Sequence, residues 1–157
     1  MQTAFQSDDE VTHIAHGLVN ATLPKSAWTH AAHFAASLWL LRRDGLTAVS
    51  AAMPEIIRRY NEACGLANTD TTGYHETITL ASLQAAEAHL RSHAADQPLH
   101  DVVNRLMATD LGRPDWLMTY WTRELLFSPA ARRVWLAPDL KALPFASPEE
   151  TTPEIKP

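Results

Sequence analysis

The chain has one cysteine, Cys64, in 157 residues. No intrachain disulfide can form, and a lone thiol points to a reducing compartment rather than to a disulfide-braced fold. No CxxC pair supplies thiolate ligands for a metal. Neither HExxH nor GxSxG occurs, so the zinc-protease and α/β-hydrolase readings fail. The five glycines are scattered, which leaves no glycine-rich loop to cradle a phosphate. The longest apolar run, residues 31–41, is interrupted by His33 and Ser37 and is shorter than the roughly 20 residues that cross a bilayer. Residues 1–10 include Asp8, Asp9 and Glu10 and no basic residue, the wrong chemistry for a secretory signal. A cytoplasmic protein that does not enter the membrane is expected. Basic residues do not pool. Arg42–Arg43, Arg58–Arg59 and Arg132–Arg133 are separated pairs in a chain of net charge −5, so nucleic acid is not an expected partner.

What is abundant is helix-forming sequence, rich in alanine, leucine, glutamate and arginine. A chain of this length makes one domain and can bury roughly 68–70% of its unfolded surface. The expected first helix covers residues 8–23, capped by Ser7 or Asp8 and ended by Pro24. Ser26 is expected to cap a second, through Arg43, with Gly45 as its stop. Thr47 caps a third, which Pro54 should kink or split and which Gly65 ends near Cys64. Residues 65–73, GLANTDTTG, read as a loop. Further helices are expected over 74–95, 98–110, 114–127 and, from the Ser128–Pro129 cap, 129–136. The fold class is therefore all-α, a single-domain bundle of about six or seven helices over residues 1–143. The proline- and acid-rich stretch 144–157 has little to bury and is expected to be a disordered or surface-lying tail.

Eight histidines stand out in so short a chain. On a helical wheel of the second segment, His30 and His33 lie one turn apart on the face that also carries Phe34, Ser37 and Leu40, opposite Arg42 and Arg43. On the fourth segment, Gln84, Thr77 and Arg91 mark the expected solvent side. Opposite them fall His75, Thr79, Ser82, Ala86 and His89, a small polar face where a packing helix would place leucine. Two such faces meeting would form a cavity holding three imidazoles.

Neutral imidazole is the commonest protein ligand for transition metals. His30, His33 and His75 as three ligands would leave a fourth position open for water or substrate. Three nitrogen donors favour a divalent transition metal (zinc, iron or copper) over magnesium or calcium. Glu76 then reads as an alternative ligand, a partner for an imidazole N–H, or a general base. Tyr74 and Tyr60 offer hydroxyls, and Asp70, in the loop before His75, is expected to orient a histidine or cap the fourth helix. The competing expectation is that His30 and His33 are hydrogen-bonded core residues and that His75 serves a helix start. His13, His16, His93 and His100 are expected at the surface. Trp116, Tyr120 and Trp121 read as core that could also wall a pocket or a dimer interface, and Arg123 as a partner of Glu124 or of a substrate carboxylate.

The segments LPKSAWTHAAHF (residues 23–34), YNEACGLANTDTTGYHETIT (60–79) and RELLFSPAARRVWLAPDL (123–140) together resemble a family of small bacterial proteins of uncharacterised function. The resemblance brings no reaction with it, and its WTHAAH and GYHET motifs contain the residues that the wheels select. Two functions are expected from these residues. One is a metal-dependent enzyme, a hydrolase or oxygenase, acting on a small-molecule substrate through the three histidines. The other is a non-enzymatic helical protein that binds a small ligand in the same interior, or forms a homodimer through its apolar helices, with structural histidines.

Overall fold

The computed structural model describes residues 4–148. Among them the only regular elements are helices: α1 (Asp8–Val19), α2 (His30–Asp44), α3 (Leu46–Ala63), α4 (Glu76–Arg91), α5 (Leu99–Met107), α6 (Arg123–Leu126) and α7 (Pro129–Arg133), with short 3-10 turns at Lys25–Ala27, Asp110–Gly112 and Trp116–Thr119. The fold is all-α, as expected from the sequence. No helix among the described residues is long and apolar enough to cross a membrane.

Two helices form the centre. Nine residues of α2 are buried, among them Ala31, Ala32, Ala35 and Ala36 beside Phe34, Leu38, Leu40 and Leu41. The alanines let α1, α3, α4 and α5 all approach it, which is the pattern of a helix apolar all round. The second, α4, packs against α2, α3, α5 and α7. This overturns the wheel assignment of its solvent side: Thr77 is 0% and Gln84 5% exposed. The chain after α7 covers that face, and the Thr77 hydroxyl donates to Val134 O at 2.9 Å while accepting from Leu136 N–H at 3.1 Å. A wheel places residues around a helix, but not the number of neighbours that surround it.

Several boundaries differ from the sequence reading for local reasons. Ser7 caps α1, but α1 ends at Val19 because Thr22 and Leu23 both turn back to donate to Gly17 O. Thr29, not Ser26, caps α2 by accepting from Ala32 N–H, and residues 25–27 form a 3-10 turn instead. Pro54 lies inside an uninterrupted α3; its ring removes one amide donor, yet its own φ suits a helix. The expected helix 114–127 is broken. Thr122 starts α6 afresh as its cap, while the Asp139 carboxylate takes both the Thr122 amide and hydroxyl, at 2.8 and 2.7 Å.

At the amino end, Asn104 exchanges two hydrogen bonds with the Phe5 backbone, and Asp8 accepts from both the backbone and the ring of His100. At the other end, the first residues after 143 lie against the body. Leu143 and Phe145 pack against the core, Phe145 beside the Trp116 ring. The tail expectation for 149–157 lies outside the described residues.

Candidate functional site

A cavity of about 630 Å3 opens between α2, α3 and α4 on one side and residues 114–132 on the other. Its size falls in the range of small-molecule sites, roughly 300–1,000 Å3. Trp28, Phe34, Met53, Ile57, Ile78, Leu83, Trp116 and Phe127 give it an apolar and aromatic wall, and Ser37, Asn61, Thr79 and Ser82 add small polar groups. His30, His33 and His75 all line it. The sequence reading thus selected three residues that the fold brings to one place.

The three rings do different work. His75 is the N-cap of α4: its Nδ1 accepts from Ile78 N–H at 3.1 Å. The proton therefore sits on Nε2, which donates to Leu126 O at 2.6 Å. Both nitrogens are engaged, and the ring is 7% exposed. Its pKa is lowered, first by burial and then by the Arg132 charge, against the opposing effect of the Leu126 carbonyl. His30, at the first position of α2, gives Nε2–H to Leu111 O at 2.7 Å. Thus two histidines reach across the cavity's edge to hold backbone carbonyls of the irregular segment. His89 does the same on α5, through Val102 O at 3.1 Å.

His33 is the exception. Its ring stacks on Trp28 with centroids 3.8 Å apart, and neither nitrogen has a hydrogen-bond partner among the described residues. It lines the cavity yet is itself exposed, with the body of the protein crowded behind the ring. Loss of hydration, followed by the charge of His30, holds its pKa down to about 4 against an ordinary 6.5. At neutral pH it is an uncharged imidazole able to accept or donate one hydrogen bond.

Among the described residues, no group of three or more His, Cys, Asp or Glu side chains is placed to hold an ion. His75 could coordinate only by releasing either the α4 amide or the Leu126 carbonyl. Glu76 does not line the cavity; its carboxylate accepts from the Tyr74 hydroxyl at 2.5 Å. The Tyr74 ring lies under the Arg58 guanidinium, 4.6 Å from its centroid, and burial with the Glu76 contact pushes its pKa up. Tyr60 is likewise spoken for. Its hydroxyl donates to Leu23 O, and burial, then its contact with Cys64, raises it to about 12.

Asp70 stands elsewhere. It is exposed and pairs with exposed Arg133 at 3.1 Å, touching neither a histidine nor the start of α4. The loop's organiser is Asn68: its Oδ1 accepts from Asn61 Nδ2 and Tyr74 N–H, and its Nδ2 donates to Arg58 O. Gly73, at φ 79°, closes the turn where a Cβ would lie 2.5 Å from Ala67 O. The loop is thus built as a wall of the cavity, held by Asn68 and not by Asp70.

Arg132 was passed over in the sequence because it belongs to a basic pair. Only Arg133 of that pair faces solvent; Arg132 lines the cavity and its Nη1 donates to Gly73 O at 2.9 Å. The signal was the Ser128–Pro129 cap. It fixes the phase of a five-residue helix in which Ala131 is the buried position and Arg132 its neighbour. Comparison with family models, with curated proteins and with solved structures finds no match. This is consistent with the resemblance to a family of uncharacterised function.

Proposed function

We propose that this chain binds a small, flat, largely apolar molecule in the cavity between α2, α4 and residues 114–132, with His33 as the group that meets its polar atom. The observation that carries the reading is the lone imidazole: His33 is stacked on Trp28, without a hydrogen-bond partner among the described residues, on a wall that is mostly aromatic and aliphatic. Such a wall rewards burial of an apolar body, and a single neutral hydrogen-bonding group fixes its orientation. If the molecule is also transformed, His33 is the residue placed to move its proton.

The test is titration with 2-naphthamide, a neutral aromatic probe, followed by tryptophan fluorescence. Saturable one-to-one binding is expected. Ser82→Trp, which fills the cavity, should abolish it, and His33→Ala should weaken it by about tenfold, the scale of one hydrogen bond. Binding that survives Ser82→Trp unchanged would place the probe elsewhere and overturn the reading.

A metal held by His30, His33 and His75 is the competing proposal, supported by their meeting on one cavity. It requires His75 to give up one of its two hydrogen bonds. About one transition-metal ion per chain in untagged protein, lost in His75→Ala with the helical content kept, would favour it over the metal-free reading.

A further inference from the structure

Building on that cavity reading, we infer that Arg132 anchors an anionic end of the ligand, so that the molecules taken here are flat apolar monocarboxylates. Arg132 spends one nitrogen on the protein, Nη1, which donates to Gly73 O at 2.9 Å and more distantly to Tyr74 O at 3.4 Å. Those carbonyls fix the guanidinium in place. Its Nε is buried without a partner, and no carboxylate pairs with it among the described residues. The neighbouring Arg133 shows the contrast, with its charge matched by Asp70 at the surface.

Nε has no accessible surface of its own, so an acid meets the guanidinium first at the unpartnered Nη2, on the edge that Nε shares. In a guanidinium, Nε–H and one N–H of Nη2 point the same way, and this pair matches the two oxygens of a carboxylate. A buried donor without an acceptor is unfavourable, and native chains rarely leave one. An incoming carboxylate supplies the acceptor and the countercharge together. The cavity's balance agrees: Arg132 and Arg123 stand on its wall against one carboxylate, exposed Asp115. Arg123, itself exposed, lies over the Phe127 ring, 5.4 Å from its centroid. Trp28, Phe34, Ile57 and Trp116 on the remaining wall suit an apolar body. One fork and one nearby carboxylate favour a single negative charge over a phosphate dianion.

The experiment compares 2-naphthoate with 2-naphthamide, which share a ring system and differ in charge, by calorimetry on the full chain. Wild type should bind the acid at least about tenfold more tightly than the amide, the usual scale of a charge-assisted hydrogen bond. Arg132→Met should erase that preference and leave the amide's affinity in place, while Arg133→Met keeps the preference. If Arg132→Met fails to fold by circular dichroism, Arg132→Lys replaces it; this variant keeps the charge without the fork, and a reduced preference is expected. Equal binding of acid and amide by wild type, or a full preference in the folded Arg132 variants, overturns the anchor and leaves the cavity reading standing. Binding of neither probe overturns both.

Discussion

The two walls of the cavity are built on different principles. The wall from α2, α3 and α4 is regular. Its backbone groups satisfy one another within helices, and its side chains are left to pack. The facing wall, residues 110–136, is mostly 3-10 turns and short helices, so many of its carbonyls have no helical donor. Buried carbonyls need partners, and side chains provide them: His30 for Leu111 O, His75 for Leu126 O, Thr77 for Val134 O and Trp121 for Leu136 O. Three of these four donors come from the regular wall. An irregular wall packed against a regular one thus accounts for two of the cavity's three histidines without any ligand, and it isolates His33 as the imidazole left over.

The strongest way to break the contrast is to move the irregular backbone itself. A Cβ at Gly112 would lie 1.9 Å from Met107 O, whereas at Gly45, φ 84°, it would meet nothing within 4 Å. Gly112→Ala should therefore destabilise by more than about 3 kcal/mol through a backbone clash. Gly45→Ala should lose about 1–2 kcal/mol, from left-handed strain alone. Urea denaturation of both variants measures the difference; equal losses would show that the 110–112 turn can shift freely.

Removing a strut comes next. His75→Ala abolishes a helix cap and leaves Leu126 O without its donor, for an expected loss of about 2–3 kcal/mol. His33→Ala removes only a ring stack and should lose about 1 kcal/mol or less. Equal losses in paired melts would mean that His33 is structural too.

Acid should weaken the same struts. A histidine whose pKa is lower in the folded chain leaves the unfolded chain to bind protons preferentially. Stability is thus fully present above the ordinary 6.5 and drains as pH falls below it; His33, lowered to about 4 but exposed, adds little. His75 and His89 are lowered as well. His100 is raised by Asp8, so its contribution is present in acid and lost as pH rises through its folded value. Urea midpoints should fall from about pH 7 to about pH 5, and fall less in His75→Gln than in wild type. An identical decline in that variant would remove His75 from the acid response.

Smaller effects follow at the edges of the irregular wall. Phe145→Ala strips a half-buried ring from Trp116 and should cost about 1–2 kcal/mol, below the value for a fully buried phenylalanine. A thermal melt with no shift would show that the Phe145 contact adds no stability. Asp70→Ala breaks only an exposed pair with Arg133 and should change stability by less than about 1 kcal/mol, with 2-naphthamide affinity unchanged. Weakened binding would return the loop's function to Asp70.

These contrasts also explain what the chain's letters revealed. Helix limits were legible where caps are local: Ser7, Gly45, Pro98 and Ser128 stand where their helices begin or end. The convergence of His30, His33 and His75 was legible for the same reason, since two amphipathic faces must meet. Their roles were not. Whether an imidazole holds a metal, a carbonyl or nothing depends on a carbonyl 81 residues away for His30 and 51 away for His75, and no local pattern encodes that distance. The irregular wall misled for a related reason. Helix propensity favours residues 114–127, but Thr122 and Asp139 settle the break across a gap of 17 residues.

The division of the cavity into an early and a late wall has a consequence for synthesis. Chains fold as they emerge, amino-terminal parts first. When α2, α3 and α4 have left the ribosome, His30 and His75 are in place, but the carbonyls they hold have not yet been made. Until residues 110–136 follow, Trp28, Phe34, Met53 and Ile57 line an open apolar groove on the nascent chain. The final stretch therefore does more than finish the count of helices: it covers the surface most prone to sticking, and a chain halted before it would present that groove to chaperones and to its neighbours.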